Sequence, residues 1–244
     1  MSDSVRQAWN RTLCQLESQG HVIVPISLPT TKAALSAYYV LASAEASSNL
    51  AKYDGVRYGV RSDIHADQTP DSGLYSHTRG AGFGPEVKRR ILLGSYSLSS
   101  EAFDNHFIQA QKIRRLVQRD FDSIFKLPNP LHNNTPAPDI GVDYIVCPTA
   151  PTPPPTMLEL KHSTPFDAYI NDILTVPASL AGLPVVNIPA PLSPLSRQVE
   201  HANVGMQIIG QYGDDESLIK FVQSELEATK EEVAHYTRKK KKFL

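Results

Sequence analysis

The chain has 244 residues, of which 41% are hydrophobic and 20% charged, with a formal net charge of −1. Such a composition suits one large soluble globular domain, and the near-neutral balance leaves no general electrostatic footprint for nucleic acid or an anionic membrane. Cys14 and Cys147 lie far apart without paired spacing, which suits a reducing compartment and reads as two free core thiols, and the histidines form no ligand pattern, so no metal site is expected. Apolar runs such as Val22 to Val24 and Ile91 to Leu93 are too short to cross a bilayer, and the N-terminal residues lack a secretory core.

In chain order, Ser2 or Ser4 can cap a first helix whose stripe is Val5, Trp9, Leu13 and Leu16, closing at Gly20. His21 to Leu28, β-branched and bounded by Gly20 and Pro29, reads as a buried strand. Thr30 or Thr31 then caps a helix rich in Ala, Ser and Glu, which runs into a polar, aromatic bend at Asp54-Gly55. Val60 to Ser76 reads as a loop, and Pro85 with Glu86 marks a helix start after alternating glycines. Those glycines follow no strand and precede no Lys-Ser/Thr, so neither nucleotide-binding fingerprint is met.

Glu101 to Phe125 carries the clearest helical spacing, in Phe103, Phe107, Ala110, Ile113, Val117, Phe121 and Ile124. A Pro- and Asn-rich loop leads to a strand over Asp143 to Pro148, then a stiff proline crossing. Phe166 to Gly182 mixes helical spacing with Pro177 and holds the polar pair Asn171-Asp172 among apolar neighbours. Two more strands, Gly182 to Pro189 and Val204 to Gly210, precede a last helix with Asp214, Asp215 and Glu216 in its first turn. Helices alternating with covered strands give an α/β protein over residues 1–236, followed by a basic tail at 237–244 that reads as a solvated end.

Four stretches then carry a resemblance: Ala37 to Leu50 with Asp54-Gly-Val-Arg-Tyr-Gly; Gly82-Phe-Gly-Pro-Glu-Val-Lys-Arg-Arg-Ile; Pro148-Thr-Ala-Pro; and Asn171-Asp-Ile-Leu with Leu180-Ala-Gly-Leu-Pro. In this order they resemble the A subunits of glutamyl-tRNA(Gln) amidotransferases, members of the amidase-signature family, in the C-terminal part of those subunits. The resemblance implies the C-terminal portion of the amidase-signature fold, a mixed β-sheet covered by helices. It also implies a Lys/cis-Ser/Ser mechanism of amide hydrolysis, but the Gly/Ser-rich run that carries the two serines has no counterpart here, so no catalytic residue is assigned to this chain. Ser47-Ser48 and Ser99-Ser100 read as small helical residues.

What the resemblance places here is a glutamine pocket of Tyr38, Arg90 and Asp172, with Tyr39 and Arg89 as one-residue alternatives in register. The chemistry fits independently: Arg can fork onto an α-carboxylate, Asp can pair with an α-ammonium, and a tyrosine hydroxyl can orient either end. The competing structural reading makes Arg90 a helix-surface ion pair and Asp172 a turn cap. By resemblance the partners are a B subunit, which would hold ATP, Mg²⁺ and most of the Glu-tRNA(Gln), and a small accessory subunit. The compartment would be the mitochondrial matrix in a eukaryote and the cytoplasm otherwise. A non-catalytic truncated paralogue and another amidase-signature hydrolase remain the alternatives, and the chain by itself is expected to expose apolar faces and to be poorly stable.

Overall fold

The computed structural model describes residues 1–62, 74–132, 141–162, 164, 169–191 and 203–226. The chain divides into two compact units, one of Met1–Thr31 with Val117–Leu244 and one of Lys32–Leu116. The basic tail at 237–244 and most of the predicted loop over Val60 to Ser76 lie outside the described residues.

In the first unit, α1 (Asp3–Ser18) starts where the Ser2 Oγ accepts the Val5 N–H at 3.4 Å, and it buries Val5, Ala8, Thr12 and Leu16. Gly20 follows at φ +97°, the left-handed conformation that glycine adopts at least cost. Cys14 is exposed on this helix, so only Cys147 fits the reading of core thiols.

The expected strand over His21 to Leu28 is not formed. The segment joins no ladder among the described residues, and Val22 is 85% exposed. β-branched residues between Gly and Pro favour extended backbone; they do not by themselves supply a neighbouring strand.

β1 (Ile145–Pro148), β2 (Val185–Pro191) and β3 (Asn203–Ile209) make a three-stranded sheet in the order β1-β3-β2, antiparallel at both pairings. Parallel pairing among the described residues is the bridge between Phe125 and Val142. Side chains alternate across a strand, so the sheet has two different faces. On one face Val204 and Met206 pack with Val5 and Ala8 of α1, while Ile208 packs with Leu218 and Val222 of a C-terminal helix. The other face carries Cys147, Gln207 and Asn187 in one cross-strand row.

The C-terminal helix spans Asp215–Glu225 and, as the acidic first turn suggests, begins with Asp215 and Glu216. Shorter helices at Met157–His162 and Val176–Ala181 precede it in this unit. The second ends at Gly182, φ +82°, where the Leu183 N–H returns to the Ala178 carbonyl at 3.1 Å.

The second unit holds α2 (Thr31–Leu50), α3 (Ser76–Gly82) and α4 (Pro85–Ser97), the last with Gly84 as N-cap and Pro85 at its first position. The hydroxyl of Thr31 donates to the Leu28 carbonyl at 2.6 Å and that of Thr30 to Asp120, so both are engaged away from the start of α2. A π-helical turn at Phe103–Ile108 leads into α5 (Gln109–Asp122), within which the boundary between units falls. Counting onward in chain order, Met157–His162 is α6, Val176–Ala181 is α7 and Asp215–Glu225 is α8.

α3 falls at the end of the segment read as a loop, and its Arg79 explains its place. The guanidinium donates from Nε to the Tyr53 carbonyl at 3.1 Å and from Nη2 to the Ala51 carbonyl at 2.6 Å, satisfying carbonyls just past α2.

Candidate functional site

Of the three residues of the expected pocket, Asp172 belongs to the first unit and Tyr38 and Arg90 to the second. Asp172 opens the turn that leads into α7. Its carbonyl accepts the Val176 N–H at 3.0 Å, the Thr175 N–H at 3.2 Å and the Thr175 hydroxyl at 3.2 Å, and the residue is partly buried. The backbone of Asp172 thus shapes the turn.

The turn borders a cleft of about 290 Å³, lined by the polar Thr149, Thr152, Asn171 and Asn187 and by the apolar Ala150, Pro153, Pro154, Pro155 and Val204 with Gly205. The Thr152 hydroxyl donates to the Asn171 side-chain oxygen at 3.4 Å, and the Thr149 hydroxyl to that of Asn187. A Cβ on Gly205 would come within 2.6 Å of the Thr149 hydroxyl oxygen and 2.8 Å of the Asn187 side-chain oxygen, so only glycine leaves this wall open. Hydroxyls and carboxamides facing a concave surface can recognise a polar ligand of amino-acid size.

Beneath the turn, Gln207 is buried to 2% exposure. Its Nε2 donates to the Leu174 carbonyl at 2.7 Å and lies 3.1 Å from the Cys147 sulfur and 3.4 Å from the Pro148 carbonyl. Burial raises the Cys147 thiol above its ordinary pKa, and the Gln207 hydrogen bond only partly opposes this. Gln207 is not among the residues expected at the site from the sequence. A signal for it exists: an uncharged polar residue within Val-Gly-Met-Gln-Ile-Ile, a run with the pattern of a buried strand, needs partners.

In the second unit, Tyr38 lies on α2, partly buried, with its ring edge-on to Tyr39 at 5.3 Å between centroids. Arg90 lies on α4 with its side chain 52% exposed, and its Nε meets Glu86 Oε1 at 3.2 Å, one helical turn away. Arg89 Nη1 meets the other oxygen of Glu86 at 2.5 Å. Glu86 therefore orients both guanidinium groups of the register ambiguity. Exposed i,i+3 and i,i+4 pairs of this kind contribute little to stability.

The Ser47 hydroxyl donates to the Ala44 carbonyl at 2.8 Å inside α2, as the helical reading has it, whereas Ser99 and Ser100 lie past the end of α4 in a turn, where the Ser99 hydroxyl donates to the Tyr96 carbonyl at 2.7 Å. Among the described residues no group of three or more His, Cys, Asp or Glu is placed to hold a metal ion, and no helix is long and apolar enough to cross a membrane.

The sequence and the fold, taken together, are matched among known proteins. Residues 1–219 match the Amidase family model, and the chain belongs to that family. It is 55% identical over 232 residues to the A subunit of the mitochondrial glutamyl-tRNA(Gln) amidotransferase of Emericella nidulans, covering 90% of this chain and 46% of that protein. It is 54% identical to the corresponding protein of Coccidioides posadasii, covering 91% of this chain and 46% of the relative. The crystal structure of the glutamyl-tRNA(Gln) amidotransferase A subunit from Thermotoga maritima superposes with a TM-score of 0.56 at 28% identity, over 90% of this chain and 38% of that one. The chain thus spans about half the length of the curated relatives it matches.

Proposed function

We propose that this chain is the C-terminal, glutamine-binding part of the glutaminase subunit of a Glu-tRNA(Gln) amidotransferase. The observation that carries the reading is identity of 53 to 55% with the A subunits of three fungal enzymes over about nine tenths of the chain. In this reading Arg90 grips the α-carboxylate of glutamine, Asp172 pairs with its α-ammonium and Tyr38 orients the ligand. Ammonia released from glutamine passes to a B subunit, which holds ATP and Mg²⁺ and converts Glu-tRNA(Gln) to Gln-tRNA(Gln), with a small accessory subunit completing the complex. The names of the fungal relatives support a mitochondrial location. Large apolar side chains in the open, Leu92 at 71% and Met157 at 76% exposure, support a place within a larger fold.

The test is to capture the native protein from its source with an antibody against this chain and supply Glu-tRNA(Gln), glutamine, ATP and Mg²⁺. Formation of Gln-tRNA(Gln), lost on immunodepletion, is the expected result. Glutamine binding without transamidation would instead favour a truncated paralogue with a binding or assembly role. Amide hydrolysis that survives Arg90→Ala would favour a hydrolase for other amides.

A further inference from the structure

We infer that Gln207 is a positioning residue for Asp172, acting through the backbone of the turn between them; the inference rests on the reading of Asp172 as the partner of the ligand's ammonium. The turn has its carbonyls pointing two ways. That of Asp172 is turned toward α7, where it receives the Thr175 and Val176 N–H groups and the Thr175 hydroxyl at 3.0 to 3.2 Å. That of Leu174, two residues on, is turned toward the sheet, where the Gln207 carboxamide donates to it at 2.7 Å.

Gln207 is well fixed to do this. It sits on β3, the central strand, between Cys147 of β1 and Asn187 of β2 in the register. At 2% exposure it has no solvent to fall back on, and its Nε2 is also near the Cys147 sulfur and the Pro148 carbonyl. With two N–H donors facing the Leu174 carbonyl, the Cys147 sulfur and the Pro148 carbonyl, this buried side chain on a paired strand makes a rigid post, and the shortest of its contacts reaches the turn. Asn171, next to Asp172, lines the cleft. The placing of this turn therefore depends on a hydrogen bond made by a residue that does not line the cleft.

An apolar residue at 207 would leave the Leu174 carbonyl without this donor and let the turn shift. Since a carboxylate must sit within hydrogen-bond reach of an ammonium to discriminate it, a small displacement weakens recognition of the amino group more than recognition of the rest of the ligand.

The experiment uses the native-length protein purified from its source with its associated chains, and measures binding of L-glutamine and of 4-carbamoylbutanoate, which has the same amide and carboxylate but no α-amino group. The readout is the ratio of the two affinities, which general loosening of the fold does not change selectively. Asp172→Asn is expected to abolish the preference for L-glutamine, and Gln207→Met to reduce it about tenfold, the equivalent of one lost hydrogen bond. Thr175→Val, which releases the same turn from its other side, is expected to act in the same direction and serves if Gln207→Met does not fold. A full preference retained in the Gln207 and Thr175 variants, with Asp172→Asn still defective, overturns the positioning role and leaves the glutamine reading standing. A full preference retained in Asp172→Asn overturns both.

Discussion

One carboxylate oxygen of Asp120, on α5, accepts both the backbone N–H of Thr30 at 2.8 Å and its hydroxyl at 2.5 Å, across ninety residues of sequence. The pair lies at the end of the segment that follows Gly20. Because that segment joins no ladder among the described residues, Asp120 does part of what a neighbouring strand would do. Asp120→Ala is expected to lower stability by about 1–3 kcal/mol, the range for hydrogen bonds to a charged group. Chemical denaturation of the two proteins side by side would check it, and an unchanged midpoint would refute it.

In the second unit α4 crosses α2 at Gly94. A Cβ there would overlap the Ser43 carbonyl and come within 2.9 Å of the Ser47 Cβ, backbone and helix side chain with little room to yield. Gly94→Ala, normally favourable within a helix, is expected here to cost roughly 1–3 kcal/mol through overpacking. A raised melting temperature would contradict the close approach.

The bend after α2 gives a prediction in pH. Asp54 accepts the N–H groups of Val56 and Arg57 at 2.9 and 2.8 Å and of Tyr58 at 3.4 Å, and its other oxygen meets Arg57 Nε at 3.1 Å. The backbone hydrogen bonds, those from Arg57 and Val56 foremost, hold its carboxyl well below the usual carboxylate range. A depressed pKa in the folded state means that the stabilisation is complete above the unfolded value of about 4 and is lost as pH falls below it. Between pH 6 and pH 3 the wild-type protein is expected to lose more stability than Asp54→Asn. Parallel acid limbs in urea titrations of the two would exclude this role.

The apolar side chains left in the open carry a fourth expectation. Val22, Leu92 and Met157, at 85, 71 and 76% exposure, lie in three separate stretches of the chain. The 244-residue chain expressed alone is expected to bind an apolar dye and to self-associate. A soluble monomer with a sharp cooperative melt would contradict it.

Legibility in the sequence followed the physics of each signal. α1, α4, α5 and α8 announce themselves through caps and apolar spacing, and β1, β2 and β3 through short β-branched runs between prolines and glycines. His21 to Leu28 shows the limit of that second signal, since extended propensity is local and pairing is not. α6 is not among the expected helices, although Thr156-Met-Leu-Glu159 is a capping box: the Glu159 N–H donates to Thr156 Oγ1 at 3.2 Å and the Thr156 N–H to Glu159 Oε2 at 2.7 Å. Arg79 is illegible because its partners are backbone carbonyls more than twenty residues away. At the site, Asp172 stands out as a polar residue among apolar ones. Arg90 and Tyr38 emerge only through the resemblance, since an arginine one turn from a glutamate reads equally as a surface pair, and that pair is formed.

Titrating L-glutamine into the native protein and into its Asp172→Ala and Arg90→Ala variants tests whether the two proposed residues bind the amino acid. Each substitution is expected to weaken affinity by about 2 kcal/mol or more, the cost of removing a charged partner from the ligand. Equal affinity in all three proteins would contradict it.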